Sequence, residues 1–272
     1  MSGFTRAWLA MREPFDRRAR SEALARAFAA ALPVDACVVD LGAGAGANMR
    51  YLAPLVRPSV RWRLVDSDAS LLAAAGDLLP RDRSIETMHI DLARELAAAL
   101  DGADAVTASA LMDLVSANWF DALAEIAVRR RLPLLLALSP DGKRTFAPAD
   151  EADPAVLAAF RNHQLRDKGF GSALGPDAPS RMKSRLEALG AEVRIAAADW
   201  RIGRDAPPML AAMIDGIAAA ASEAAPDRRD EVAAWRKRRH DARARASLSM
   251  VVGHRDLVAL WRSRRVRRES PC

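Results

Sequence analysis

Cys37-Val-Val-Asp-Leu-Gly-Ala-Gly-Ala-Gly46 reads as a short buried strand that runs straight into a glycine turn opening a helix. Gly42, Gly44 and Gly46 lack Cβ atoms, so the backbone can turn tightly there and a ligand can approach the N–H groups closely. Asp40 places a carboxylate at the carboxyl end of the strand. Such a loop suits the polar end of a nucleoside-type cofactor. It is not a phosphate loop of the Gly-x4-Gly-Lys-Ser/Thr kind, because no Lys-Ser or Lys-Thr closes it. A dinucleotide site stays open, since Gly42, Gly44 and Ala47 also satisfy Gly-x-Gly-x-x-Ala and Asp66 lies 20 residues beyond Gly46.

Outward from this stretch, apolar runs alternate with segments of helical period, the mark of a doubly wound, mostly parallel sheet with helices on both faces. Strands are expected at Ala36–Leu41, Val60–Val65, Ile85–Ile90, Ala103–Ala108, Leu132–Leu138, Ala191–Ala198 and Ser247–Val252, seven in all. Before the first, a helix is expected from Arg18 to Leu32, preceded by a segment with Trp8 and Arg12. Asp68 suits the cap of a helix that Pro80 would stop, and Ser180 the cap of one ending at Gly190. Asp153-Pro154 opens a helix reaching about Arg166, and a helical excursion covers Pro207 to Arg245 with a break at Ala225-Pro-Asp227. The organisation is thus an N-terminal helical segment (1–33), a ligand-binding α/β domain (34–256) with insertions at about 140–176 and 205–245 forming a helical cap, and a basic tail (257–272).

Ligands of open α/β sheets sit at the carboxyl ends of the strands. Asp66, with Ser67 after it, ends the second expected strand, where a carboxylate can accept hydrogen bonds from two ribose hydroxyls. Asp91-Leu92 ends the third, and Ser109-Ala-Leu-Met112 follows the fourth. Two apolar residues, an acid and x-Gly-x-Gly-x-Gly, with these downstream positions, resemble the class I S-adenosylmethionine (SAM)-dependent methyltransferases from about Arg18 to Ala198, and to Val252 if the last strand is the family's antiparallel one. The resemblance implies SAM as cofactor, held by Asp40, Gly42, Gly44, Gly46, Asp66, Ser67, Asp91, Leu92 and Ser109. It implies that Asp91 accepts the adenine amino group; the plain reading of Asp91 is a helix cap. A short-chain dehydrogenase would need Tyr-x3-Lys, yet the single tyrosine, Tyr51, has no lysine four residues on. Other NAD(P)-dependent oxidoreductases, and a SAM-binding protein without turnover, remain as alternative readings.

Methyl transfer needs little more than an aligned nucleophile and exclusion of water, so catalytic residues are poorly marked. Ser109-Ala-Leu-Met112 stands where enzymes acting on base amines carry Asn/Asp-Pro-Pro-Tyr/Phe, and Cys37 lies inside a strand, which disfavours base methylation and leaves a small-molecule acceptor as the expectation, with RNA or protein still open. Candidate bases are His163, Asp113 and His254. Arg144, Gln164 and Lys168 in the first insertion could bind a polar or acidic acceptor, and Trp119 and Trp200 could wall its pocket or belong to the core. The four histidines show no metal-ligand spacing, and two cysteines give no disulfide framework.

At 272 residues and 51% hydrophobic content the chain can bury a sizeable core, and with no apolar run of about 18 residues and no signal-like N-terminus the expected location is the cytoplasm. From Asp227 to Cys272 there are 14 Lys/Arg against 6 Asp/Glu, a charge of +8, which leaves −2 for everything before within the total of +6. Arg262, Arg264, Arg265, Arg267 and Arg268 could meet nucleic acid or an anionic surface; a solvated terminus is the plainer reading, because the body carries no matching excess. Oligomeric state is not legible.

Overall fold

The computed structural model describes residues 5–78 and 82–261. Strands β1 (Cys37–Leu41), β2 (Arg61–Asp66), β3 (Ile85–His89), β4 (Ala105–Ser109) and β5 (Leu134–Ala147) run parallel in one sheet. The chain then adds β6 (Glu192–Ala197), a short β7 (Trp200–Ile202) and β8 (Ser249–Leu260), giving the order β3-β2-β1-β4-β5-β8-β6 with β7 also paired to β8. β8 is antiparallel to β5, β6 and β7. β1 is buried along its whole length because strands flank it on both sides and helices cover both faces.

Between the strands lie α3 (Ala47–Leu52), α4 (Ala69–Leu78), α5 (Leu92–Ala99), α6 (Ala117–Arg130) and α8 (Ala178–Ala188). Phe120, Leu123, Ala127, Met182 and Leu186 of α6 and α8 bury one face against Val106, Leu134 and Leu257. On the opposite face α2 (Glu22–Ala31) places Leu24, Ala25 and Phe28 with Met49 and Leu52 against Val38, Trp62 and Leu135. A third core lies where α7 (Asp153–Gln164), α9 (Pro207–Ala224) and α10 (Arg229–Ala244) stack on the far halves of β5 and β8, around Phe146, Trp200, Ile214 and Trp235. Buried Asp153 joins its parts, accepting a hydrogen bond from Trp235 Nε1 at 2.8 Å and pairing with Arg239 at 2.8 Å.

The structure corrects the expected boundaries in several places. The helix expected over Arg18–Leu32 is two helices, α1 (Arg6–Ala19) and α2, because Arg20 is extended and Ser21 starts α2 by accepting from the Leu24 N–H. β5 does not stop at Leu138. It bulges there, with Leu138 at φ 53°, and continues to Ala147 paired antiparallel with β8, so the insertion expected at about 140–176 begins as strand. β8 runs to Leu260, four residues into the segment assigned to the tail, because Leu257 to Ala259 pair with both β5 and β6 and Leu260 with β6. β7 makes an eighth strand, too short for a sequence pattern. Ser180 is inside α8, bonded to the Asp177 carbonyl, and does not cap it. The stop at Pro80 and the five tail arginines lie outside the described residues.

Candidate active site

The strand order reverses between β1 and β4, and the glycine loop leaves β1 at that crevice. Gly42 and Gly44 have φ of 65° and 51°, and Gly46, at 78°, opens α3. A Cβ on Gly42 would stand 3.3 Å from Leu111 Cδ1, so the side chain after β4 closes on the bare loop. Asp66, at the end of β2, fixes the loop from beside it. Its Oδ2 accepts the Gly44 N–H at 2.8 Å and its Oδ1 accepts the Asp68 N–H at 2.9 Å. Each oxygen keeps a second lone pair, and the residue is partly exposed, so the carboxylate can still receive two hydroxyl donors. The backbone of Ser67 contributes its carbonyl to His89 Nε2 at 3.1 Å.

Asp40 is fully buried behind the loop, not on its surface. Its Oδ1 accepts from Asn48 Nδ2 at 2.7 Å, and Oδ2 has no hydrogen-bond partner. Burial pushes its pKa up to about 7, against the Asn48 hydrogen bond and the more distant Arg20 charge. The Asn48 amide oxygen in turn accepts from Arg20 Nη1 at 2.8 Å, and Arg20 Nε lies 3.3 Å from Asp256 Oδ2. Asp256 also accepts the Ser21 and Leu138 N–H groups, both at 2.8 Å. One buried polar chain therefore ties the end of α1, the first turn of α3, the β5 bulge and β8 to the cofactor loop. Asn48, Arg20 and Asp256 escaped sequence reading, because nothing local distinguishes them from surface polar residues.

Helix α1 lies across the mouth of the crevice. Trp200 of β7 anchors it: the rings of Trp8 and Phe15 stand 6.4 and 6.3 Å away, Arg12 sits 5.1 Å over its face, and Asp16 accepts its indole N–H at 3.1 Å. Trp200 is thus core and anchor at once. At the other edge Arg50 of α3 pairs with Glu13 at 2.6 Å and donates to the Ala45 carbonyl. Between α1 and the loop remains a cavity of about 110 Å³, lined by Leu9, Glu13, Gly44, Asn48, Ser109 and Ala110 among others. Ser109, at the tip of β4, is the expected site residue that most directly borders this space together with the glycines.

Asp91 and Leu92 start α5. Asp91 accepts the Ala93 N–H at 2.9 Å, so it is a helix cap, with its carboxylate half exposed and Arg94 at 3.5 Å. Leu92 is buried, and its carbonyl receives Trp119 Nε1 at 2.7 Å. That bond and the contact with Phe170 place Trp119 in the core, the second of its two expected readings, and not on a pocket wall. His163 is also remote from the loop: its ring bridges Glu223 of α9 at 3.0 Å and Lys168 at 3.4 Å, a structural link between α7 and its neighbours.

Asp113, Arg144 and His254 form a second group of charged and titratable side chains, the first and last within reach of Arg12, which itself lines the space under α1. Asp113 follows β4, its loop pinned by the Gly175 N–H on the Asp113 carbonyl at 2.9 Å and the Leu174 N–H on that of Val115 at 2.8 Å. Desolvation pushes its carboxyl above the usual range, opposed by the charges of Arg12, Arg144 and Lys168. Arg144, on the β5 arm, stacks its guanidinium 4.5 Å over the Phe160 ring. Its pKa is drawn down to about 10 by burial, opposed by Asp113 and Asp141. His254 on β8, 4.9 Å from the Trp200 ring, is held neutral with a pKa of about 3 by burial and by the Arg12 and Arg144 charges. Among the described residues no cluster of His, Cys, Asp or Glu is arranged to hold a metal, and no helix is long and apolar enough to cross a membrane.

No protein-family model and no curated protein matches the chain. Solved structures do. A cyclopropane-fatty-acyl-phospholipid synthase-like protein from Lactobacillus casei superposes with a TM-score of 0.52 at 16% identity, over 93% of this chain and 94% of that one. The YcgJ protein from Bacillus subtilis gives 0.50 at 17% identity, over 89% and 98%. Together with the strand order, the glycine loop after β1 and the antiparallel β8, these similarities show that the chain has the fold of the class I SAM-dependent methyltransferases.

Proposed function

We propose that the protein transfers a methyl group from SAM to a small-molecule acceptor. The observation that carries this reading is the Asp66 carboxylate locked onto Gly44 at the switch point of the sheet, beside a crevice that β4 and α1 border. When bound, SAM supplies an electrophilic methyl group on a sulfonium. The chain's own residues fit it: Asp66 takes the ribose hydroxyls, the glycine loop admits the polar end of the cofactor, and Ser109-Ala110 borders the methionine portion. Ala110, at φ 54°, turns the backbone there, its N–H bonded to the Ala137 carbonyl. The cavity of about 110 Å³ is smaller than the roughly 300–1,000 Å³ of ordinary ligand sites, so this reading requires the crevice under α1 to widen when the cofactor binds.

In this reading Asp113 receives the proton that a hydroxyl or amine acceptor gives up; its position after β4, within reach of Arg12, and a carboxyl pushed up by burial support that role. Alignment and water exclusion under α1 supply the rest. Calorimetric titration with SAM, S-adenosylhomocysteine and NAD(P)H tests the reading. Micromolar binding of the first two alone is expected; NAD(P)H binding without them would turn the loop into a dinucleotide site and retire the proposal.

A further inference from the structure

Two buried polar atoms, Arg144 Nε and Gln164 Oε1, lack a protein partner, and Asp113 lies near the first. Arg144 Nε is buried with no acceptor, and its guanidinium makes no ion pair or hydrogen bond among the described residues, resting only on Phe160. Gln164 Oε1, one helical turn beyond Phe160 on the same face of α7, is buried with no donor. Asp113 has no side-chain partner among the described residues, although Arg144 and Lys168 are near enough to act on it. Arg12 is committed to Asp16 at 2.9 Å and Arg255 to Asp141 at 2.9 Å, while Lys168 meets only His163 Nδ1 among the described residues, at 3.4 Å. A partly buried guanidinium with an unpartnered Nε and no counter-ion is unfavourable in the empty protein, and the natural remedy is an anion delivered by a ligand.

Resting on the methyltransferase reading, we propose that the acceptor is a small amino or hydroxy acid whose carboxylate is held by Arg144 and whose amine or hydroxyl points to Asp113. A guanidinium fork matches the planar carboxylate bidentately, which is the geometry that favours a carboxylate here. Gln164 Oε1 offers an acceptor for a ligand N–H or O–H. In the transfer, the sulfur–methyl bond breaks with its electron pair staying on sulfur, and the acceptor's N or O lone pair forms the new bond to carbon. The proton from that atom passes to the Asp113 carboxylate, leaving S-adenosylhomocysteine and a methylated acid. The distal carboxylate on Arg144 keeps its charge throughout and serves orientation only.

The test uses the full chain saturated with S-adenosylhomocysteine and follows thermal unfolding with paired probes: β-alanine, para-aminobenzoate and para-hydroxybenzoate, each against its primary amide, with phosphoethanolamine as the phosphate probe. At least one acid should bind roughly tenfold or more tightly than its amide. Arg144→Met should abolish that preference while leaving S-adenosylhomocysteine affinity unchanged, and Arg144→Lys should restore part of it. Equal binding of acids and amides, preference for phosphoethanolamine, or an unaltered preference in Arg144→Met each overturns the proposal. Absence of S-adenosylhomocysteine binding overturns instead the reading on which it rests. If Arg144→Met fails to fold, the acid-against-amide comparison in the unmodified protein still decides.

Discussion

Replacing Asp40 with asparagine tests the buried polar chain beneath the cofactor loop. An aspartic acid with an ordinary pKa of 3.8 is held at about 7 in the folded protein. The folded state therefore keeps a proton that the unfolded chain has released. Stability drops as pH rises from about 4 to about 7 and is flat above, because ν, the number of bound protons, is larger in the native state over that window. At about 1.4 kcal/mol per pH unit, the burden above pH 7 is on the order of 4 kcal/mol. The side chain introduced by Asp40→Asn cannot ionise, yet its amide oxygen can take the Asn48 Nδ2 hydrogen bond that Asp40 Oδ1 accepts at 2.7 Å. The variant should show no such decline, so its stability relative to the parent should grow by up to about 4 kcal/mol between about pH 4 and pH 8. Any constant penalty from the new N–H₂ at the unpartnered Oδ2 position shifts the two curves but not their divergence. Urea unfolding by circular dichroism at about pH 5, 6, 7 and 8, comparing the two proteins at each pH, cancels all other titrating groups. Parallel curves, differing by a constant amount across that series, would refute the claim that Asp40 is protonated and uncompensated.

Asp66→Ala removes both the ribose acceptor and the hydrogen bond that fixes Gly44, so S-adenosylhomocysteine affinity should fall by about 1–3 kcal/mol, roughly 5- to 150-fold, by calorimetry; unchanged affinity in a folded variant would displace the assignment. Arg50→Ala cuts α1 loose from α3, and amide exchange over Arg6–Ala19 should quicken by about fivefold, for the roughly 1 kcal/mol of a half-exposed bidentate pair, with faster cofactor association. His254 carries the opposite pH sign from Asp40: its folded pKa of about 3 lies below the ordinary 6.5, so stability is lost as pH falls from 6.5 towards 3, and His254→Gln should flatten that acid limb in the same unfolding series.

The legible parts of this fold are those that local chemistry specifies. Cys37–Leu41 is apolar except for Asp40 because both its neighbours and both its faces are protein, and the glycines after it are required by positive φ at 42, 44 and 46. Asp68 at a helix start announces itself through the short oxygen that the Ser70 and Leu71 N–H groups need, and Asp91 does the same for Ala93. The break of the helical excursion at Ala225-Pro226 follows from proline chemistry in the same way.

What stayed hidden depends on partners far along the chain. Arg20 reads as one more arginine in a basic N-terminal helix, yet its place is fixed by Asn48, 28 residues on, and by Asp256 at the other end of the chain. The same Asp256 holds the Leu138 N–H where β5 bulges, and no residue pattern near Leu138 betrays a strand that changes register and continues through Pro140, Asp141 and Gly142. Trp119 and Trp200 are equivalent in sequence, an aromatic just beyond a strand, but the indole of the first donates to the Leu92 carbonyl and that of the second to Asp16 of α1. One is thereby closed into the core and the other holds the helix across the crevice. Arg144 lies between these cases: its residue type hinted at an acidic ligand, but only its burial on Phe160 without a counter-ion separates it from the many arginines of this chain that pair with their own carboxylates.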